Sequence, residues 1–324
     1  MIISRTPLRV SFSGGGTDLK AYYKYGKGAV TSTAINKYIY ITVNKRFDDT
    51  IRVGYSKTEI VNDVSKIQHD LVRECMKFTG IEKGIEITSI ADVPLRGTGL
   101  GSSSSFTVGL LNALYAFKGE FKSAERLAKE ACKIEIDIVK EPIGKQDQYI
   151  VAYGGLQHIQ FNSDESVFVD PIICSKAVKE ELQQNLLMFY TGLVRRANSV
   201  LSEQTKNTPN KKDILDEMTR LAVELKESLN NNNLKDFGTI LHKGWKFKKQ
   251  LASSITNNLI EDIYEKAIKT GASGGKILGA GGGGFLLFYC EKEKQDKVRE
   301  TLKDLKELPF SFEPEGSKII YVGD

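Results

Sequence analysis

The chain has 324 residues, 40% hydrophobic and 27% charged, a composition typical of a globular protein with room for two packed domains. Its 46 basic and 41 acidic residues leave a net charge of +5, which is too small and too dispersed to indicate a nucleic-acid-binding surface. The four cysteines and three histidines are isolated along the sequence, so a zinc site is not expected.

The N-terminal residues lack the basic segment and apolar core of a secretory signal, and no apolar run approaches membrane-spanning length. We therefore expect a cytoplasmic protein with neither a membrane nor a nucleic-acid partner.

Strand patterns open the first half, and amphipathic helices follow them. Strands are predicted over residues 2–12, 29–44 and 85–90, helices over 106–117 and 123–140, and a hairpin over 154–169. Ser123 is a plausible N-cap for the second helix.

The second half is richer in helices. After a buried strand at 185–190, the patterns predict helices at 213–229, 234–251 and 259–270, a glycine-rich loop at 271–284, a strand at 285–290, a charged helix at 291–305 and a last strand at 318–322. We predict an α+β protein with two domains, residues 1–170 and 171–324.

The most informative segment is PLRGTGLGSSSS at residues 94–105, which runs directly into the helix pattern beginning at residue 106. Glycines let a backbone approach a ligand closely, and a helix N-terminus presents free N–H groups and partial positive charge. The segment therefore predicts a phosphate-binding loop; a solvent-exposed linker is the alternative.

Two known glycine-rich nucleotide-binding motifs can be compared with the sequence. No GxxxxGK[ST] sequence occurs, so a P-loop is disfavoured. Residues 279–284 match GxGxxG, but an apolar strand follows where a dinucleotide-binding fold needs a helix, and we reject that interpretation.

The segment GGGTD at residues 14–18 directly follows the first strand, which carries Arg5 and Arg9. One interpretation is a turn in which Asp18 caps a short helix at 19–25. The other is that Asp18 hydrogen-bonds sugar hydroxyls while an arginine faces phosphates.

Two acidic residues stand out as candidates for chemistry. Asp147, in GKQDQY between a glycine and a strand-like segment, is either a surface loop residue or a catalytic carboxylate. Glu135 falls beside Ala131, Ile134 and Ile138 on the apolar stripe of its helix, where a carboxylate needs a metal ion or a basic partner.

Taken together, these segments resemble the three motifs of the GHMP kinases, in the right order and across nearly the whole chain. Residues 5–18 resemble motif one, with a GGGTD ending in place of the usual one. Residues 94–105 resemble the motif-two phosphate loop, which is the most specific match, and residues 276–285 resemble the glycine-rich motif three. The resemblance implies an S5-like N-terminal domain and a ferredoxin-like C-terminal domain, with ATP and substrate between them.

The resemblance also implies roles for individual residues. Asp147 and Arg9 match the catalytic acid and the arginine near the transferred phosphate, Ser102 or Ser103 matches a Mg²⁺ ligand together with Glu135, and the ATP-binding residues would be Pro94, Gly97, Gly99, Leu100, Gly101, Ser102, Ser103 and Ser104. The substrate-binding residues would be Gly15, Gly16, Thr17, Asp18, Gly281, Gly282 and Gly283.

Within the family, the opening RTPLRVSFSGGGTDL and the segment GKQDQYIVAYGG most resemble bacterial D-glycero-D-manno-heptose 7-phosphate kinases. The resemblance implies phosphorylation of the anomeric 1-hydroxyl, on the route to nucleotide-activated heptose for surface polysaccharide, by a monomer or homodimer. A substrate phosphate would need basic partners; Arg195 and Arg196 are preferred over Arg96 and Lys145, with a solvated helix start as the alternative. Fucose- or galactose-type kinases and non-catalytic GHMP-fold sensors are the competing functions.

Overall fold

The computed structural model describes residues 1–94, 97–194 and 197–323. In this part of the chain the strands are β1 (Ile2–Ser13), β2 (Lys27–Lys45), β3 (Ile51–Gly54), β4 (Thr58–Val61), β5 (Ile85–Ala91), β6 (Leu156–Asn162), β7 (Val167–Pro171), β8 (Leu186–Tyr190), β9 (Gly274–Ile277), β10 (Phe285–Tyr289), β11 (Lys306–Glu307) and β12 (Lys318–Val322).

The helices alternate with these strands and are concentrated in the second half. In the same residues they are α1 (Lys20–Tyr23), α2 (Asp70–Thr79), α3 (Ser102–Phe117), α4 (Ala124–Cys132), α5 (Gln146–Tyr153), α6 (Lys176–Gln184), α7 (Ala197–Asn207), α8 (Lys212–Asn230), α9 (Phe237–Lys248), α10 (Asn258–Thr270) and α11 (Gln295–Thr301). A π-helical segment, Lys133–Ile138, continues α4.

The strands form two sheets. The larger has the order β12-β1-β2-β5-β3-β4, with β6 and β7 attached through β2, and the smaller has the order β11-β8-β10-β9. All pairings are antiparallel except β3 with β5. This arrangement confirms the α+β class predicted from the sequence.

Strand β1 is the centre of the first half. Residues 6–13 are buried without alternation, so both faces of the strand are covered, and α3, α5, α8 and α9 all contact it. The register against β2 shifts between Pro7 and Leu8, where proline has no N–H to give to the ladder. Arg9 and Ser11 therefore lie on a buried strand that is packed on both faces.

The larger of the two hydrophobic clusters contains residues from both halves of the chain. The ring of Phe12 on β1 contacts Phe237 on α9 with centroids 5.3 Å apart, and Phe237 contacts Tyr289 on β10 at 5.0 Å. In addition, β12 returns from the C-terminus to pair with β1 in the larger sheet. The domain boundary near residue 170 stays a prediction, and the last strand lies with the first half.

Most predicted elements are confirmed, and several of the differences lie beside the cleft described below. Residues 146–153, which looked strand-like, form the helix α5. The predicted helix 123–140 is α4 followed by the π-helical segment, and part of the predicted glycine-rich loop is the strand β9. The patterns missed the helices α2, α6 and α7 and the short strands β3, β4 and β11. No helix among the described residues combines the length and the apolar character needed to cross a membrane.

Candidate active site

A cleft of about 250 Å³ opens between the two halves. Its walls come from β1, from the loops around residues 15–18, 97–104 and 279–280, and from α5, α7 and α9. The three glycine-rich segments singled out in the sequence therefore meet at one place, although they are separated by as many as 265 residues along the chain.

The phosphate-loop candidate leads directly into α3. Gly97, Gly99 and Gly101 have φ angles of 72°, 74° and 76°, in the left-handed region that favours glycine. A Cβ on Gly101 would lie 3.1 Å from Arg9 Cγ and 3.3 Å from Asp147 Oδ2, so a larger residue would crowd both side chains. Helix α3 begins at Ser102 with its N-terminus on the cleft, an arrangement suited to binding an anion.

Not every predicted loop residue reaches the cleft. Ser102, Ser103 and Ser104 line it, whereas Leu100 is buried and accepts a hydrogen bond from Arg9 N at 3.0 Å. Pro94 is exposed and does not line the cleft. Within residues 97–105, the loop and the start of α3 pack into the structure and do not form a solvent-exposed linker.

Arg9 and Asp147 form a two-pronged ion pair. Arg9 Nε donates to Asp147 Oδ1 at 2.7 Å and Arg9 Nη2 donates to Oδ2 at 2.7 Å, while Nη1 donates to Gly99 O at 2.5 Å. The Arg9 side chain is only 4% exposed and that of Asp147 is 22% exposed. Charge-assisted, bidentate bonds hold the carboxylate in one orientation at the edge of the phosphate loop.

Glu135 is fully buried and is held by neutral donors. It accepts hydrogen bonds from Ser103 Oγ at 2.8 Å, Ser104 Oγ at 2.9 Å and Gln148 Nε2 at 2.6 Å. Burial raises its pKa to about 7, against the lowering effect of these bonds. No lysine or arginine among residues 1–94, 97–194 and 197–323 pairs with it, so the salt-bridge interpretation is wrong for the described chain.

The oxygen atoms of Ser103 and Glu135 suit a magnesium ion. Mg²⁺ prefers hard oxygen ligands and usually keeps several waters and substrate phosphate oxygens, so one or two protein ligands are enough. In the described residues no group of three His, Cys, Asp or Glu side chains is placed to hold a metal by itself. Ser103 and Glu135, in contact beside α3, fit the shared type of site.

Asp18 is a buried residue that also lines the cleft. Its carboxylate accepts from Gly16 N at 2.9 Å and from Gln146 N at 3.2 Å. Burial raises its pKa, and the charge of Asp147 adds to the effect. The capping interpretation is wrong, because α1 begins after Leu19 without any side-chain cap.

Other predicted substrate residues are placed as follows. Gly15 and Gly16 line the cleft, whereas Thr17 bonds Gly14 O and Ala29 O and supports the turn. Gly281, Gly282 and Gly283 do not line the cleft; Gly282 N donates to Ile255 O at 2.7 Å, and the loop packs against its own half.

The basic residues considered for a substrate phosphate fall into two groups. Lys145 pairs with Glu165. Arg96, Arg195 and Arg196 lie outside the described residues.

Two buried lysines in the cleft were missed. Lys248, on α9, donates to Gly279 O, and burial together with the charge of Arg9 lowers its pKa to about 8. Lys276, on β9, donates to Ser11 O at 2.8 Å and to Phe12 O at 3.2 Å, and burial lowers its pKa as well. Lys248 continues the buried stripe of Leu241 and Trp245, so the test that selected Glu135 would also have found it.

The cleft thus brings basic groups, two ion-paired catalytic candidates and a helix N-terminus into one place. The basic residues Arg9, Lys248 and Lys276 and the acidic residues Asp18 and Asp147 all line it. Such a site can bind phosphates, orient a hydroxyl group and stabilise the charge of a transferred phosphoryl group.

The model of the GHMP kinases N terminal domain matches residues 64–155, and that of GHMP kinases C terminal matches residues 225–307. A D-glycero-alpha-D-manno-heptose 7-phosphate kinase of Campylobacter jejuni is 30% identical over 334 residues, covering 98% of each chain.

Two solved structures share the fold. A putative sugar kinase from Campylobacter jejuni is 28% identical with a TM-score of 0.79 and covers 99% of this chain and 98% of its own. A D-glycero-D-manno-heptose 1-phosphate kinase from Bacteroides thetaiotaomicron, 23% identical, has a TM-score of 0.83 and covers 100% of both chains. These similarities confirm the architecture expected from the motifs: the chain belongs to the GHMP kinase family and is a sugar kinase, a phosphotransferase with an alcohol group as acceptor.

Proposed function

We propose that the protein transfers the terminal phosphoryl group of ATP to the anomeric 1-hydroxyl of D-glycero-D-manno-heptose 7-phosphate, giving the 1,7-bisphosphate. The observation that carries the proposal is the full-length similarity to the Campylobacter jejuni heptose 7-phosphate kinase. The Arg9–Asp147 pair at the edge of the phosphate loop supports phosphoryl transfer in this cleft. Cytoplasmic localisation and a monomeric or homodimeric state remain predictions.

The proposed role of Asp147 is to orient or deprotonate the sugar hydroxyl. A carboxylate has about four lone-pair positions, so the two bonds from Arg9 leave Asp147 able to accept a third bond from the substrate. Because Arg9 also bonds Gly99 O, the carboxylate is tied to the loop that would hold ATP. The acceptor hydroxyl and the phosphoryl donor are then both oriented by the Arg9–Asp147 pair and the loop bonded to it.

The proposed nucleotide site uses the loop at residues 97–101 and the N-terminus of α3. Bound ATP supplies the phosphoryl group and Mg²⁺ neutralises part of the phosphate charge, with Ser103 and Glu135 as the residues that would hold the ion. Arg9 and Lys248 lie where positive charge would stabilise the phosphoryl group during transfer.

A coupled assay of ADP release across a sugar panel tests the substrate. The panel contains D-glycero-D-manno-heptose 7-phosphate, the unphosphorylated heptose, L-fucose and D-galactose. A charge-assisted bond to phosphate contributes roughly 1.5–3 kcal/mol, so kcat/KM should favour the phosphorylated heptose over the free heptose by about 10–150-fold.

The basic pair that follows Val194 in sequence is the proposed partner of the sugar phosphate. Replacing Arg195 or Arg196 with Ala should shrink the preference for the phosphorylated heptose and leave the KM for ATP nearly unchanged. Equal turnover of the free and phosphorylated heptose by the wild type would overturn the heptose-phosphate assignment and leave the sugar-kinase assignment intact.

A further inference from the structure

Three side chains at the Asp18 side of the cleft carry buried polar atoms that have no hydrogen-bond partner within the described chain. These atoms are Ser11 Oγ, Gln146 Oε1 and Gln204 Nε2, and all three residues line the cleft. Ser11 is 5% exposed and Gln204 is 3% exposed. An unsatisfied buried polar group costs about 1–3 kcal/mol, so three of them around one cavity indicate a missing partner.

Gly15 and Gly16 of the GGGTD segment leave room for these three side chains to lie close together. A Cβ on Gly15 would lie 3.7 Å from Ser11 Oγ and 3.8 Å from Gln146 Nε2, and a Cβ on Gly16 would lie only 2.3 Å from Gln204 Nε2. Any residue other than glycine at position 16 would displace the Gln204 amide. Ser11 and Gln146 come from the first half, whereas Gln204 reaches the same point from α7 in the second half.

The backbone that carries Gln204 is anchored independently of the cleft. Thr208 Oγ1 donates to Gln204 O at 2.9 Å, and Asn207 Nδ2 donates to Leu251 O at 3.0 Å. The end of α7 is therefore held by its own contacts, and the side-chain Nε2 of Gln204 adds none. A side-chain N–H group that is held in position but donates no hydrogen bond within the described protein is available to bind a ligand.

We call Ser11, Asp18, Gln146 and Gln204 the polar ring. Three of its atoms have no hydrogen-bond partner among the described residues. Gln204 Nε2 is a donor, Gln146 Oε1 is an acceptor, and the Ser11 hydroxyl can both donate and accept. A sugar hydroxyl also donates and accepts, so a set of hydroxyls can satisfy every member. A phosphate oxygen only accepts and would be repelled by the carboxylate of Asp18.

We infer that Gln204, together with Ser11 and Gln146, binds hydroxyl groups of the acceptor sugar, and that Gln204 is a specificity-determining residue supplied by the second half of the chain. This inference deepens the proposed function: it rests on a sugar accepting the phosphoryl group in this cleft, and not on whether that sugar carries a phosphate.

Gln204→Met tests the inference, because methionine matches the length of glutamine and removes the amide. With whichever of D-glycero-D-manno-heptose 7-phosphate, L-fucose and D-galactose the wild type phosphorylates, kcat/KM for the sugar should fall about 5–100-fold, the equivalent of one lost hydrogen bond that leaves a buried hydroxyl unpaired. The KM for ATP should stay within about twofold. The unliganded variant should melt no earlier than the wild type, since Nε2 makes no bond to lose.

Two further variants separate recognition from structure. Ser11→Ala should behave in the same way, with a smaller loss in kcat/KM and no loss of stability. The matched control is Gln295→Met, which removes a buried amide that donates to Gln184 O at 2.6 Å and to Cys290 O at 3.0 Å. It should lower the melting temperature and leave the kinetic constants for both substrates unchanged.

The outcomes are distinct. An unchanged kcat/KM for the sugar in Gln204→Met overturns the inference, and so does a variant that melts early and loses activity toward sugar and ATP alike. If the wild type phosphorylates L-fucose or D-galactose but not the heptose phosphate, the proposed function fails, while a selective loss in Gln204→Met on that sugar still upholds the polar ring.

Discussion

At Asp147, one carboxylate holds a buried arginine and is also proposed to orient the substrate hydroxyl. Asp147→Asn keeps the shape but removes the charge, so turnover should fall about 10²–10⁴-fold in kcat, the usual range for a lost general base. Nucleotide binding and the fold should persist, although the melting temperature should drop because Arg9 then faces a single neutral acceptor.

Steady-state kinetics and nucleotide titration check this expectation. The control is Asp296→Asn, since the Asp296 side chain is fully exposed on α11. It should leave both kcat and melting temperature unchanged. Near-normal turnover in Asp147→Asn would move the catalytic role to another residue.

Lys248 and Lys276 are buried like Arg9, but their side chains bond to backbone carbonyls and not to a carboxylate. Each directs its side-chain nitrogen to backbone carbonyls, and within the described residues neither forms a direct ion pair. Their pKa values are lowered by burial, and each also lies within the field of Arg9. A preorganised cation of this kind needs no movement when phosphate charge develops.

At the level of elements, the π-helical segment decides where Glu135 points. Val139 N donates to Ile134 O at 2.9 Å, a bond that spans five residues in place of four. The segment ends α4 and brings Glu135 against the serines at the start of α3. A short irregularity in one helix thereby couples it to the anion-binding end of another.

Glu135→Gln tests this arrangement by its pH dependence without Mg²⁺. Because the folded-state pKa is about 7, above the unfolded value of 4.5, the folded protein holds the extra proton between these values. The carboxyl group therefore stabilises the fold at low pH, and this stabilisation is lost as the pH rises through 7. Relative to the variant, the wild type should lose ~3 kcal/mol of unfolding free energy between about pH 4.5 and 7.

Denaturant titrations of both proteins at several pH values measure that difference. If Glu135 holds Mg²⁺, the variant should also need more Mg²⁺ for activity, while Glu130→Gln, at a buried acid bonded by Tyr115 and Arg126, should not. A variant that melts early in the absence of metal, with an unchanged Mg²⁺ requirement, would show that Glu135 has a structural role only.

Across the whole molecule, two glycine loops from different halves touch beside the cleft. A Cβ on Gly279 would lie 2.5 Å from Gly99 Cα, and a Cβ on Gly99 would lie 2.4 Å from Leu278 O. The phosphate loop and motif three are therefore packed backbone to backbone, which only glycine permits. The contact couples the proposed nucleotide site to the position of the second half.

Gly279→Ala should push these loops apart. The φ of 67° at Gly279 already costs alanine roughly 1–2 kcal/mol, and the contact with Gly99 adds to it. The melting temperature should fall and the KM for ATP should rise. Gly80→Ala is the matched control, with a φ of 70° and no atom within 4 Å of the added Cβ, so it reports the backbone term alone. Equal effects of the two substitutions on melting and on KM would refute the coupling.

The sequence by itself selected much of the candidate site. Local patterns singled out Asp18, Glu135 and Asp147 as candidates, because glycine-rich turns and a carboxylate on an apolar stripe are visible over short spans. The resemblance to the GHMP kinase motifs then selected Arg9 and gave each residue its expected role. The same patterns located most strands and helices. The structure brings the four selected residues to one cleft and its walls.

Local patterns failed where distant segments decide the outcome. Residues 146–153 form a helix against α3 and α4, although their apolar run suits a strand as well. The glycines 281–283 were assigned to substrate, yet they pack on Ile255 and Leu193. A glycine-rich sequence predicts that the backbone lies close to another group, but it does not identify that group.

Only the tertiary structure determined which buried polar groups lack a hydrogen-bond partner among the described residues and which are paired. It also determined which side chains of the second half reach the cleft. Lys248 and Gln204 belong to the site because α9 and α7 pack against β1 and the GGGTD turn. Whether a buried polar atom has a partner depends on residues hundreds of positions away, and this information exists only when the chain is folded. Short-range sequence patterns therefore indicated the candidate chemistry, and long-range packing determined the geometry of the cleft in which we propose that the substrate binds.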